Sequence, residues 1–330
     1  MSENECNWIE IFIETEKEGF EPVSGIIYQC GITGVMIEDS DDFTEFLEDP
    51  ARDWDYIEDE LVEQKKKAKN GVTFFVRDNA NGAETLGMVK EMLKSAKENE
   101  KEINFGSLEM TIKNIKEDDW ANNWKKYFEP FAVGDKIVIR PSWEEYDDDG
   151  TKTVLKIDPG HVFGTGTHET TQLCIEFIEE YMKKGDNVLD IGCGSGILSI
   201  ASLLLGACHA DAVDIDPNAV DIAYTNAGMN DIGKDVYTVV SGNILADDEL
   251  DKAYSGKKYD VVEANIVADV IIALSEKVPN YIKDGGVFIC SGIIVERLDD
   301  VLAALEEHGF KVLDIKRKKG WAAVASKYNG

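Results

Sequence analysis

The chain has 330 residues, 43% of them hydrophobic, which is long and apolar enough for the cores of two domains. Its 34 lysines and arginines against 65 aspartates and glutamates give a formal charge of −31, a field that repels free nucleic acid and attracts small basic proteins, or serves only to keep the chain dissolved. No run reaches the ~20 apolar residues of a membrane span, MSENECNWIEIF lacks a secretory leader's pattern, and the six cysteines make no C-x-x-C pair or metal spacing with the four histidines, so a cytoplasmic, metal-free protein with reduced thiols is expected.

WIEIFIET alternates apolar and polar residues as a half-buried strand does, and FEPVSGIIYQCGI has helical spacing closed by Gly31. GVMIED and GVTFFVRD read as strands, ETLGMVKEMLKSAKEN as a helix and LEMTIKNI as a strand. The order βαββαβ is that of the ferredoxin-like split unit, placed at residues 1–115. An acidic, lysine-rich stretch at 39–70 interrupts it and reads as a charged helical insertion between two strands. Trp120, Trp124, Tyr127 and Phe128 then recur at helical spacing, which predicts a helix at a domain junction, followed by the strand KIVIR. The acidic turn YDDDG leads on to TVLKID, and these two strands are expected to pair as a hairpin. Residues 116–150 are thus read as a helical linker and the start of that hairpin, and 151–330 as a second domain.

In that domain strands and helices alternate, as a doubly wound α/β fold requires. DPGHVFGTGTHETTQLCIEFIEE (158–180) is a Gly- and Thr-rich loop feeding an amphipathic helix, with Thr167 as the expected N-cap. The run VLDIGCGSGI (188–197) then reads as strand, glycine turn and helix start, with the helix N–H groups aimed over the loop. Its glycines are Gly192, Gly194 and Gly196; a dinucleotide fingerprint needs its third glycine where Ile197 stands. Asp214 ends the next strand, and Asp216 caps a helix with Pro217 at its first position. VYTVVSG, YDVVEANI and VFICSGI are further strands, with VADVIIALSEKVPNYI and VERLDDVLAALEEHG as helices. The chain closes with KVLDIKRKKGWAAVASK, two strands about a basic turn at Lys318 to Gly320. Open α/β sheets bind ligands at the carboxyl ends of their strands, which puts Gly192, Asp214 and Asn265 on one crevice.

The loop Gly192, Gly194, Gly196, preceded by Asp190 and followed by a helix and Asp214, resembles the first motif of class I S-adenosyl-L-methionine (AdoMet) methyltransferases. FGTGTHETT, ANIVAD, WANNWKKYFEPF and IRPSW narrow this, since together they resemble the ribosomal protein L-eleven methyltransferase family. The resemblance implies a seven-stranded Rossmann-like sheet with an N-terminal ferredoxin-like domain that grips the eleventh protein of the large ribosomal subunit. It also implies trimethylation of lysine side chains and of the N-terminal α-amine of that protein. By position, cofactor contacts fall on Thr171, the three glycines, Asp214, whose carboxylate would take both ribose hydroxyls, and Asn265. Thr165 and Thr167 would line the pocket, and Asn243 lies where the superfold contacts adenine. Phe163 is placed against the substrate channel or in the core. The chain departs from the family pattern in the length of its 39–70 insertion and in Glu169, where proline is frequent.

Two side chains are candidates for the chemistry. The Asn265 carbonyl can accept an N–H from the substrate amine and aim its lone pair, or it is a strand-end cap. His168, beside Glu169, is a candidate base, or a loop residue that hydrogen-bonds the backbone. The alternatives are a methyltransferase of the same fold acting on another translation protein, and, from a different class, a nicotinamide-dependent oxidoreductase or a non-catalytic binding protein.

Overall fold

A computed structural model describes residues 8–32, 34–39, 69–99, 103–113, 128–158 and 164–330. The chain divides into two units, residues 1–125 and 126–330. The first contains β1 (Trp8–Glu14), α1 (Phe20–Gln29), β2 (Val35–Glu38), β3 (Gly71–Arg77), α2 (Ala80–Asn99) and β4 (Met110–Lys113). The sheet order is β2-β3-β1-β4 and every pair is antiparallel, the arrangement of a split β-α-β unit. Period-two alternation sends Ile9, Ile11 and Ile13 of β1 into the core with Val23 and Ile27 of α1 and Leu86, Val89 and Leu93 of α2. The expected helix within 39–70 lies outside the described residues, as does most of the aromatic helix expected from Trp120 to Phe128.

The second unit begins with a small sheet of β5 (Phe131–Val133), β6 (Ile137–Pro141) and β7 (Thr153–Ile157). Here the expected hairpin is corrected, because β6 pairs with β7 in parallel, from Ile137 opposite Thr153 to Pro141 opposite Ile157. The acidic segment 142–152 is therefore a return connection that carries the chain back to the start of β6. The tight turn lies earlier, at Gly134 (φ +57°), where β5 and β6 form the antiparallel pair. Phe128 is buried against Phe131 and Trp143.

The main body is a seven-stranded sheet of order β10-β9-β8-β11-β12-β14-β13. Its strands are β8 (Asn187–Ile191), β9 (His209–Asp214), β10 (Tyr237–Ser241), β11 (Tyr259–Asn265), β12 (Ile282–Ile294), β13 (Phe310–Lys318) and β14 (Trp321–Tyr328). β10 through β12 run parallel, and β14 inserts antiparallel between β12 and β13. α3 (Glu169–Tyr181), α4 (Ile197–Leu204) and α5 (Pro217–Met229) form one helical layer; α6 (Asp248–Ser255), α7 (Ala268–Tyr281) and α8 (Leu298–Glu307) form the other. On the α7 and α8 side the core is apolar, built from Leu189, Ile191, Val262, Ala264, Ile271 and Val301 among others. The side facing α3 and α4 is different, since Asp190, Glu263 and Asn265 project there among serines and threonines.

Candidate active site

β8 and β11 are neighbours at the point where the strand order reverses, the place where an open α/β sheet leaves a crevice. From β8 the chain turns through Gly192, Gly194 and Gly196 at φ +79°, +50° and +80°, a left-handed path that side chains disfavour. Space excludes them too: a Cβ on Gly192 would lie 2.6 Å from Ile266 Cγ2, and one on Gly196 2.7 Å from the Tyr237 hydroxyl. Ile197 opens α4 and is buried.

Asp214, at the end of β9, is only 8% exposed. Its Oδ2 accepts the Gly194 N–H at 2.7 Å and its Oδ1 accepts the Asp216 N–H at 2.8 Å. Burial pushes its carboxyl above the usual range against the pull of these two N–H groups. A carboxylate offers about four lone-pair sites, so each oxygen keeps a second one for a ligand hydroxyl. Beside it Ile215 is 55% exposed, an apolar surface at the same strand end that the sequence reading did not single out. Asn243 follows β10, is exposed, and accepts the Leu245 N–H at 3.0 Å.

The Thr-rich loop reaches the glycine turn through Ser195, whose hydroxyl donates to the Gly164 carbonyl at 2.7 Å. Asn226 of α5, fully buried, tightens the same junction: its Nδ2 donates to the Ser195 carbonyl at 2.9 Å and its Oδ1 accepts the Asp158 N–H at 2.8 Å. Ser195 lies within the glycine run and Asn226 in no recognisable motif, and only the folded chain brings them together. Thr165 and Thr167 are hydroxyl to hydroxyl at 2.8 Å. Thr167 is not the N-cap of α3, contrary to expectation, because its hydroxyl is engaged by Thr165 and the helix starts one residue further on. His168 takes that position, its Nδ1 accepting the Thr170 N–H at 3.3 Å and lying 2.7 Å from the Thr170 hydroxyl.

His168 is 2% exposed and meets Trp321 edge-on at 4.9 Å. Burial pushes its pKa down to about 4, Glu169 opposing and Lys319 assisting. The contacts of its Nδ1 make His168 the cap of α3, which matches the reading of it as a loop residue that hydrogen-bonds the backbone. Glu169 is pushed up by burial, but the hydrogen bond from Lys319 at 2.7 Å, a backbone N–H and neighbouring charges outweigh this and hold it low. Phe163 and His161 lie outside the described residues.

Asn265 is the last residue of β11 and is 8% exposed. Its Nδ2 donates to the fully buried Thr171 hydroxyl at 3.1 Å, which leaves Oδ1 buried and without a hydrogen-bond partner among the described residues. A buried acceptor in that state is costly unless a ligand completes it.

The family model of Ribosomal protein L11 methyltransferase (PrmA) matches residues 7–329. The chain belongs to this family. A ribosomal protein L11 methyltransferase of Alkaliphilus oremlandii (strain OhILAs) is 38% identical, with 98% of this chain and 99% of that protein covered. One from Clostridium botulinum (strain Eklund 17B / Type B) is 40% identical over 97% of this chain and 98% of its own. Among solved structures, a ribosomal protein L11 methylase of Lactobacillus delbrueckii subsp. bulgaricus is 31% identical and superposes with a TM-score of 0.55, covering 62% of this chain and 100% of that one. This member of the ribosomal protein L11 methyltransferase family is an AdoMet-dependent enzyme on a class I Rossmann-like fold. Its residues fit the cofactor: a glycine turn closed to side chains from beneath, a carboxylate with acceptor capacity to spare, an exposed apolar side chain next to it, and an orphaned amide oxygen opposite.

Proposed function

We propose that the enzyme methylates lysine side-chain and N-terminal amines of ribosomal protein L11, in up to three steps per nitrogen, acting in the cytoplasm with the N-terminal unit as the grip on the protein. The observation that carries the reading at the level of chemistry is the orphaned Oδ1 of Asn265. When bound, AdoMet supplies a methyl group already activated by the adjacent sulfonium. The protein's own residues then have to bind, orient and dry the site.

Asp214 accepts the ribose hydroxyls through its remaining lone pairs, bonds worth roughly 1.5 to 3 kcal/mol each because the acceptor is charged. The Gly192 to Gly196 turn lets the backbone approach the ligand, and Ile215 offers a flat apolar contact to a ring. Thr171 fixes which way round the Asn265 amide sits: by taking the Nδ2 donor, it leaves the carbonyl oxygen for the substrate nitrogen. A free lysine, with a pKa near ~10.4, is mostly a non-nucleophilic ammonium at neutral pH, so its proton leaves to water as the side chain is desolvated. Asn265 then accepts a remaining N–H and points the lone pair into the crevice. The neutral amine brings two N–H groups to the first transfer, one to the second and none to the third, so this contact serves the first two steps and is absent in the last.

The test is intact-mass spectrometry of purified ribosomal protein L11 after incubation with the enzyme and AdoMet. Mass gains in whole methyl steps, lost in Asp214→Ala, are expected. No gain on L11 despite measured AdoMet binding would move the activity to another translation protein, and tight NAD binding with none of AdoMet would overturn the reading.

A further inference from the structure

Beneath the glycine turn the α3 and α4 side of the sheet holds two carboxyl groups with no exposure at all, Asp190 of β8 and Glu263 of β11. They stand directly opposite each other in the parallel β8–β11 pair, and adjacent strands lie only about 4.8 Å apart. Asp190 Oδ2 accepts two donors from α4, the Ser199 hydroxyl at 2.7 Å and the Ser199 N–H at 3.2 Å. Glu263 Oε1 accepts one, the Ser202 hydroxyl at 2.6 Å. Each carboxyl keeps one oxygen, Asp190 Oδ1 and Glu263 Oε2, buried with no hydrogen-bond partner among the described residues.

We propose that Asp190 and Glu263 hold one proton between those two orphaned oxygens and act as a positioning pair, locking the ends of β8 and β11 and so setting the glycine turn against Asn265. Neither residue needs to touch substrate or cofactor for this. One hydrogen bond satisfies both orphans at once, and the proton comes from water as the chain folds. Two bare carboxylates on directly opposite residues of adjacent strands, out of water, repel too strongly for both to be ionised.

The donors decide which partner keeps the proton. Asp190, with two donors on one oxygen, is the better anion; Glu263, with one, is the acid that donates. Among the described residues the neighbours supply no countercharge: α4 offers serines, α3 offers Cys174, β9 offers Asp214, β10 offers Tyr237, and Ile289 of β12 stands in register with Glu263. In keeping with this, burial first and then the partner's charge raise Glu263 well above the ordinary carboxyl range, while burial pushes Asp190 up to about 6 against the Ser199 donors.

Glu263→Gln puts an amide donor where the proton sits, which is the variant that separates pairing from simple packing. In the wild-type enzyme the infrared spectrum at pH 8 should contain a protonated-carboxyl C=O band that is missing from E263Q. Denaturant unfolding at a series of pH values gives the second readout. Above the ordinary glutamate value of 4.5, the unfolded wild type releases a proton that the folded one keeps. Its unfolding constant should therefore rise up to about tenfold per pH unit relative to E263Q. Parallel pH profiles, or no protonated-carboxyl band in the wild type, would overturn the proposal. If E263Q does not fold, the wild-type band alone decides, its presence supporting the pair and its absence removing it.

The link to the site rests on the AdoMet reading above and has its own arm. AdoMet affinity should weaken in the wild type as the band is lost at high pH and stay level in E263Q. Equal weakening in both variants would remove the positioning role. No AdoMet binding at any pH would instead sink the functional reading and leave the infrared and unfolding results standing.

Discussion

At the scale of single residues, the site is organised by which acceptors are already spent. Asp214 has given one lone pair on each oxygen to the backbone, which fixes its carboxylate plane before any ligand arrives. Asn265 has given its donor to Thr171 and nothing to its acceptor. This asymmetry predicts different failures. Asn265→Ala removes a group used to aim the nucleophile, so kcat should fall by roughly 10²-fold, the scale at which misorientation is felt, with AdoMet affinity within a few-fold of wild type. Single-turnover rates at saturating AdoMet, beside calorimetric affinities, separate the two. An unchanged rate would remove Asn265 from the reaction and leave it a strand-end cap.

At the scale of elements, α3 shows how a helix start can carry function without chemistry. His168 caps it, Glu169 and Thr171 occupy its first turn, and the basic hairpin end docks on it, Lys319 to Glu169, Lys318 to Gln172 and Lys316 to Glu176 and Glu180. Because the folded His168 titrates near 4 and an ordinary histidine near 6.5, the unfolded chain binds the extra proton between those values. Stability from this group is thus full above pH 6.5 and is lost as pH falls toward 4, by up to about 3 kcal/mol. His168→Asn keeps a cap acceptor and removes the titration, so its denaturant midpoint should fall less than the wild type's between pH 7 and 4.5; equal losses would show that the imidazole does not titrate as its burial implies. The cap itself was half legible. The Thr-rich loop and the helix after it stood in the sequence, but choosing Thr167 over His168 needed the Thr165 contact. The β6–β7 pairing was misread for a related reason, since a turn-rich acidic segment of 11 residues (142–152) reads alike whether the chain reverses or returns. The glycine turn, Asp214 and Asn265 were legible because each sits at a strand end marked by its own periodicity. Asn226, Ser195 and the Glu263 partnership with Asp190 were not, since they depend on contacts between elements that no local pattern encodes.

At the scale of the whole molecule, the charge of −31 is carried by both units and is far larger than any local need of the site. The crevice residues are themselves buried or bound to backbone groups, so their interactions with AdoMet are short-ranged and little screened. A lysine-bearing protein substrate approaches from outside and senses the summed field, over a Debye length of about 10 Å at 0.1 M salt and 3 Å at 1 M. Salt should therefore divide the two substrates. Raising ionic strength from about 0.05 to 0.5 M is expected to raise KM for ribosomal protein L11 severalfold, through slower encounter and weaker long-range attraction, while kcat and the KM for AdoMet stay nearly constant. Steady-state kinetics at four or five salt concentrations, with potassium chloride and a second monovalent salt, would measure this directly. A KM for L11 that does not move would mean the acidity serves only to keep the chain dissolved, and that docking relies on contacts too close for mobile ions to weaken.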